Sequence, residues 1–232
     1  MNNLKDTFEE AKVFSKFHHS RIPFFEIAYE YFKNSSRILD LGSGRGIFID
    51  FLNEKGFKGE IYAYDRNKET LKNLKKKGIK AKYGILPEIK FKDDFFDGIN
   101  ASHILEHLYP EELYETLREI KRVLKKNGIL VISGPLLWED FYSDLSHIRP
   151  YNPGVFIKYL CEDKSENPSH PLVKGFELVK IIYRYRFVGI NPLCFKHSTL
   201  FNFLSLLFFK FLRKIGIGHY EKTGYTIILR KV

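Results

Sequence analysis

Three glycines spaced two apart, Gly42, Gly44 and Gly46, follow the apolar run Ile38-Leu39-Asp40-Leu41, and Asp65 ends the next such run 19 positions after Gly46. Residues without a Cβ let the backbone turn sharply and approach a bound molecule, while the first N–H groups of a following helix face outward. An ionised carboxylate is an acceptor with two oxygens, so Asp65 can take both hydroxyls of a ribose. Loop and acid are together the two halves of a nucleoside-binding device, although the glycines alone can also be simply a tight strand-to-helix turn. A dinucleotide site requires Gly-x-Gly-x-x-Gly, and its third glycine is replaced by Ile47. A phosphate loop of the Gly-Lys-Ser or Gly-Lys-Thr type is absent. Histidines supply a second chemistry, because neutral imidazole can accept a proton near pH 7. His103 and His107 follow the run Asp97 to Ala101, and His147 lies in Ser146-His147-Ile148-Arg149-Pro150-Tyr151.

The elements that must position these groups alternate. Arg37 to Leu41, Gly59 to Asp65, Lys80 to Tyr83, Asp97 to Ala101 and Ile129 to Ser133 read as strands. Between them, Ile47 to Glu54, Lys68 to Lys77 and Pro110 to Lys125 have helical apolar spacing, with Ile47, Phe48, Phe51 and Leu52 on the face of the first and Gly56 as its C-terminal cap. Such alternation predicts a parallel sheet covered on both faces, with ligands at the carboxyl ends of the strands. Phe8 to Phe32 reads as one or two helices broken near Arg21-Ile22-Pro23. Leu136 to Tyr151 and Asp163 to Pro171 read as loops, and Gly175 to Phe187 and Gly224 to Leu229 as closing strands. The expected organisation is one domain over 1–232, with a helical cap (1–34), a core that binds the ligand (35–135), acceptor loops (136–174) and closing strands carrying an inserted aromatic helix, 200–215 (175–232).

Composition narrows the classes. The 232 residues suit one α/β domain, and the net charge of +10 favours anionic partners without naming one. Lysine clusters such as Lys75-Lys76-Lys77 fall at helix ends, where solvated faces are the ordinary reading. Cys161 and Cys194 stand far apart and without metal-ligand spacing, so neither a disulfide framework nor a zinc site is indicated, and a cytoplasmic location fits. Met1 to Glu10 has no apolar core of a secretory signal, and no run of 18 apolar residues is available to span a bilayer.

The ordered combination resembles a known family. Ile38 to Gly46 looks like motif I of the class I S-adenosylmethionine-dependent methyltransferases, and Tyr64-Asp65 is similar to their ribose-binding acid. Leu86-Pro87 followed by Asp94-Phe95-Phe96-Asp97 resembles the segment leading into their fourth strand. Ser102 to Leu108 and Ile120 to Leu130 resemble two blocks of the small-molecule branch, so the likeness covers about residues 35 to 135. It implies a Rossmann-like three-layer α/β/α sandwich whose seven-stranded, mostly parallel sheet ends in an antiparallel strand. It also implies S-adenosyl-L-methionine as cofactor, with Gly42, Ser43 and Gly44 beneath it, Asp65 on the ribose, and Ile85 and Leu86 flanking the adenine. Asp40, Gly46, Arg66, Ser102 and His103 complete the expected cofactor site. Gly84-Ile85 departs from the many relatives that place an acid there for the adenine amino group.

Methyl transfer from a sulfonium requires alignment of the nucleophile and, where needed, removal of its proton. His147 or His107 is the expected base, with Arg149 and Tyr151 lining the acceptor pocket. The alternatives are that His107 packs or caps a helix and that His147 orders a loop. Arg21 is placed to pair with the cofactor carboxylate through a bidentate contact, or else lies on the surface. No metal dependence is indicated. A small or lipid-linked acceptor, methylated at oxygen, is the expected substrate. A non-catalytic cofactor-binding relative and an RNA-modifying enzyme are the alternatives, and nucleic acid is a minor reading. Leu200 to Ile215 presents a wide apolar face and serves as a lid, as a homodimer contact of an otherwise monomeric chain, or as a peripheral membrane contact.

Overall fold

In the computed structural model, residues 22–163, 169–189, 193 and 198–232 are described. They contain seven strands in one sheet: β1 (Arg37–Leu41), β2 (Glu60–Asp65), β3 (Lys80–Tyr83), β4 (Phe96–Ser102), β5 (Leu124–Pro135), β6 (Phe176–Gly189) and β7 (Gly218–Lys231). Their spatial order is β3-β2-β1-β4-β5-β7-β6. β3, β2, β1, β4 and β5 run parallel, and β7 lies antiparallel to β5, with Ile129 opposite Arg230 and Pro135 opposite Gly224. The helices are α1 (Ile22–Phe32), α2 (Ile47–Glu54), α3 (Lys68–Lys76), α4 (Pro110–Val123), α5 (Pro153–Phe156, continued by a π turn to Cys161) and α6 (Thr199–Lys214).

The central strands are apolar on both sides because both faces are covered. Successive side chains point to opposite faces. Leu39, Leu41, Ile99, Leu130 and Ile132 therefore join Leu113, Leu117 and Ile120 of α4 in one core. Ile38, Ala63, Val131 and Ile228 join Phe32, Ile49, Leu52 and Leu74 in the other. Gly98 on β4 admits Phe32 closely, since a Cβ there would lie 2.6 Å from the Phe32 ring. The expected apolar face of α2 is corrected by one position. Ile47 is 58% exposed and Ile49 fully buried, because Gly46, in the left-handed region at φ 80°, starts the helix and turns Ile47 outward.

By their internal contacts the residues form two compact units. Among the described residues, one comprises 22–163, 169–183 and 224–232, and the other comprises 184–189, 193 and 198–223. The first unit holds the sheet core and the cavity at its strand ends. In the second, the 16-residue α6 carries Leu200, Phe201, Phe203, Leu204, Leu206, Leu207, Phe208 and Phe211, each between 46% and 65% exposed, while Ser205 is its buried residue.

Candidate functional site

The cavity is built from strand ends. Where β1 stops, the N–H groups of Gly42 and Ser43 both donate to the Tyr64 carbonyl on β2, at 2.8 and 3.3 Å, so the glycine loop is fastened to the end of the neighbouring strand. Asp65 then locks the loop from its side chain, accepting the Gly44 N–H at Oδ2 and the Asn67 N–H at Oδ1, each at 2.8 Å. Each oxygen keeps a further lone pair, enough for two ribose hydroxyls. All three glycines have left-handed φ, and they do different things. A Cβ on Gly42 would sit 2.7 Å from Ile104 and one on Gly46 2.5 Å from Leu74, whereas one on Gly44 would meet nothing within 4 Å. Two glycines therefore allow packing, and Gly44 leaves open space in front of the loop. Beside it the Ser43 hydroxyl is buried without a hydrogen-bond partner, which among native buried groups points to a missing ligand or water.

In front of the loop lies a cavity of about 410 Å³, lined by Gly42, Tyr64, Asp65 and Arg66 from the first two strands and by Gly84, Ile85 and Leu86 after β3. His103, Ile104, His107 and Leu108 after β4, together with Glu112, Asp144 and Ser146, complete the wall. That size and mixed lining suit a small molecule. Of the residues expected at the cofactor, Gly42, Asp65, Arg66, Ile85, Leu86 and His103 thus meet on one wall. Asp40, Ser43, Gly44, Gly46 and Ser102 are not among its lining residues. Arg21 lies outside the described residues. Asp40 is 4% exposed and accepts a bond from the Asn100 amide at 2.7 Å. Burial raises its pKa to about 7, against the lowering effect of Asn100 and with Asp65 adding repulsion.

The β4 end carries the groups able to move protons. His103 has left-handed backbone at φ 54°, a conformation that costs a side-chain-bearing residue roughly 1–2 kcal/mol. It is held by its N–H to the Ser133 carbonyl at 2.9 Å and by Nδ1 against Glu106 Oε1 at 3.0 Å. Glu106 is 3% exposed, and its carbonyl accepts the N–H groups of Ile148 and Arg149 at 2.9 and 3.2 Å. That pairing folds the loop after β5 back onto the cavity. There His107 Nδ1 meets the Ser146 carbonyl at 2.9 Å and His147 Nδ1 meets the Phe141 carbonyl at 2.6 Å, with the two rings 5.0 Å apart. A carbonyl only accepts, so each Nδ1 is the donor, and in a neutral imidazole each Nε2 then keeps a lone pair. The Ser146 hydroxyl and N–H hold the neighbouring Asp144 carboxyl below its usual range.

Arg149 and Tyr151 do not join this wall. They line a separate cavity of about 230 Å³ with Leu113, Tyr114, Val155 and Tyr159. Tyr151 is buried, its hydroxyl donating to the Leu108 carbonyl at 2.8 Å and its own carbonyl accepting from Tyr225 at 2.5 Å, which is the setting of a packing residue. Reasoning from sequence gave Glu106 no role. Its adjacency to His107 is the signal that was available, but the burial of its side chain and its bonds to the 148–149 backbone depend on tertiary structure.

Residues 39–132 match a family described as a methyltransferase domain. A ribosomal protein L11 methyltransferase of Dictyoglomus turgidum is 29% identical over 120 residues, half of this chain, and the match spans only 38% of that protein's length. A carboxy-S-adenosyl-L-methionine synthase of Campylobacter hominis is 25% identical over 219 residues, covering 79% of this chain and 93% of its own. Among solved structures, a SAM-dependent methyltransferase of Archaeoglobus fulgidus superposes with a TM-score of 0.59 at 25% identity, covering 91% of this chain and 95% of the other.

Proposed function

We propose that this chain, whose residues 39–132 match a methyltransferase domain, acts as a class I S-adenosylmethionine-dependent methyltransferase and methylates an oxygen atom of a small or lipid-linked acceptor. The cofactor supplies an electrophilic methyl carbon on a sulfonium, attacked in line by the acceptor. The chain's own residues then have four tasks. Asp65 receives the ribose hydroxyls on its two remaining lone pairs, and the Ser43 hydroxyl, buried without a partner, offers a hydrogen bond from beneath. Ile85 and Leu86 cover an aromatic base, the first being 56% exposed and thus free to take apolar contact. Arg21, outside the described residues, is assigned the cofactor carboxylate from the sequence alone. His107 and His147 activate the acceptor.

The observation that carries the choice of oxygen is the pair of Nε2 lone pairs left by the bonds of both Nδ1 atoms to backbone carbonyls. A neutral amine needs no proton removed before attack, whereas a hydroxyl gains from a group that takes or displaces its proton. Incubation with deuteromethyl-labelled cofactor and metabolite and lipid extracts tests this reading by mass spectrometry. The label is expected on oxygen, and His107→Ala is expected to lower turnover by about 100-fold with affinity for S-adenosylhomocysteine unchanged. Label on nitrogen or carbon, or full turnover in both His107→Ala and His147→Ala, refutes it.

A second reading has its own support, since a relative aligned over most of this chain is a carboxy-S-adenosyl-L-methionine synthase. In that case the cofactor itself would be the product carrier, and the same mass spectra would show carboxy-S-adenosylmethionine in place of a methylated acceptor. The lipid-linked half of the proposal is supported by the exposed apolar side chains of α6, with Lys210, Arg213 and Lys214 on the same helix.

A further inference from the structure

We propose that Glu106, His107 and His147 form a binding site for one divalent cation of the zinc, cobalt or manganese class, at the edge of the cavity that receives the methyl acceptor. One ligand atom from each of the three residues lies within 4.8 Å of the other two. Two imidazoles and one carboxylate are a donor set that transition ions accept and that magnesium or calcium, which prefer all-oxygen ligands, do not.

Three features of the geometry are those of a ligand set rather than of three side chains packed together. Each Nδ1 is committed to a backbone carbonyl, His107 to Ser146 and His147 to Phe141, at 2.9 and 2.6 Å. Ligating histidines carry this second bond because it fixes the tautomer and aims the Nε2 lone pair. Glu106 is 3% exposed, and among the described residues its carboxylate is bonded by the His103 imidazole at 3.0 Å. Withdrawing a carboxylate this far from water is costly, and a cation beside it would offset that cost. Finally, the Glu106 carbonyl holds the N–H groups of Ile148 and Arg149, so the loop bearing His147 is fastened to the residue that offers the carboxylate. Closing three such atoms on an ion with bonds of about 2.0–2.2 Å takes side-chain adjustments of about an ångström.

Three protein ligands leave a tetrahedral position open. His107 also lines the cavity shared with Gly42 and Asp65, which sets the proposed ion at its edge. An acceptor hydroxyl held on such an ion would be more acidic than a free one, its proton passing to solvent. This deepens the proposed oxygen methylation and rests on it for the role, though not for the binding: the two histidines activate the acceptor through the ion they hold.

The test uses the full chain without a histidine tag. Co2+ is titrated into metal-stripped protein, following the visible bands of four-coordinate cobalt and the thermal midpoint, with Zn2+ in competition. One Co2+ per chain is expected, displaced by Zn2+. His107→Ala, His147→Ala and Glu106→Gln should each weaken it at least 10-fold, and His170→Ala, at the separate cavity, should leave it unchanged. Absence of stoichiometric Co2+ binding by the parent overturns the proposal whether or not any variant folds, and so does binding that survives both histidine substitutions. S-adenosylhomocysteine is titrated into the same samples. Its binding without cobalt binding rejects the cation site alone, whereas loss of cofactor binding in the parent rejects the enzymatic reading.

Discussion

Asp40 is the residue at which folding and function are in tension. Its carboxyl is sealed under the glycine loop with Asn100 as hydrogen-bond partner, and burial lifts its pKa from 3.8 to about 7. The folded chain therefore keeps a proton that the unfolded chain releases. The stabilisation this brings is complete below about pH 4 and is lost as pH rises through about 7. Asp40→Asn keeps an acceptor for Asn100 and removes the titration. Denaturant unfolding should show the variant equal to the parent at pH 3.5 and more stable by a margin that widens up to pH 7. By pH 8 the margin should be constant, on the order of a few kcal/mol. A gap independent of pH would show that Asp40 does not titrate in the folded chain. Asp65 has both oxygens bonded to backbone N–H groups of the loops they organise, so its removal loosens the loop as well as deleting the proposed ribose acceptor.

At the scale of elements, α3 separates stability from binding. The Asn67 side chain caps it, Oδ1 accepting the N–H groups of Glu69 and Thr70 at 3.0 and 3.1 Å, while the Asn67 backbone N–H serves Asp65. Asn67→Ala loses the cap and keeps the N–H, so unfolding should become easier by about 1 kcal/mol with cofactor affinity within a factor of three. A large loss of affinity would mean that the cap also sets the position of Asp65. The parallel core was readable because apolar runs broken by glycine fix strand and helix ends: β1, α2 and β3 have the expected bounds. Where the chain departs, a tertiary pairing decides. Leu124 and Lys125 have helical spacing, yet Leu124 pairs with Phe96 on β4, and a register shift between Phe96 and Gly98 brings Gly98 opposite Ile129, the intervening stretch of β5 containing Asn127 in left-handed conformation at φ 61°. The polar stretch Gly218 to Lys222 has no alternation to mark it as strand, and still it opens β7. In the site, the glycines and Asp65 are local signals. Glu106 reaching the 148–149 backbone across 42 residues is not, and Arg149 and Tyr151, two and four positions after His147, face another cavity.

For the molecule as a whole, the proposed lipid-linked acceptor would engage the net charge of +10 and the exposed apolar helix α6 together. An anionic surface attracts the charge, and the helix has apolar side chains to insert. Among the described residues no helix is long and apolar enough to cross a membrane, so contact would be peripheral. Sedimentation with anionic vesicles should carry the parent down at low salt and progressively less as salt rises, and the double variant Phe208→Ser, Phe211→Ser should bind at least 10-fold more weakly. A parent that stays in solution but elutes as a dimer assigns the helix to a second copy of the chain instead. The central claim, that the glycine loop and Asp65 hold the methyl donor in the cavity at the strand ends, is tested most directly by calorimetric titration of S-adenosylhomocysteine into the parent and into Asp65→Ala. One site per chain is predicted in the parent, weakened at least 100-fold in a variant whose circular dichroism matches it. Equal affinity in both proteins would place the cofactor elsewhere.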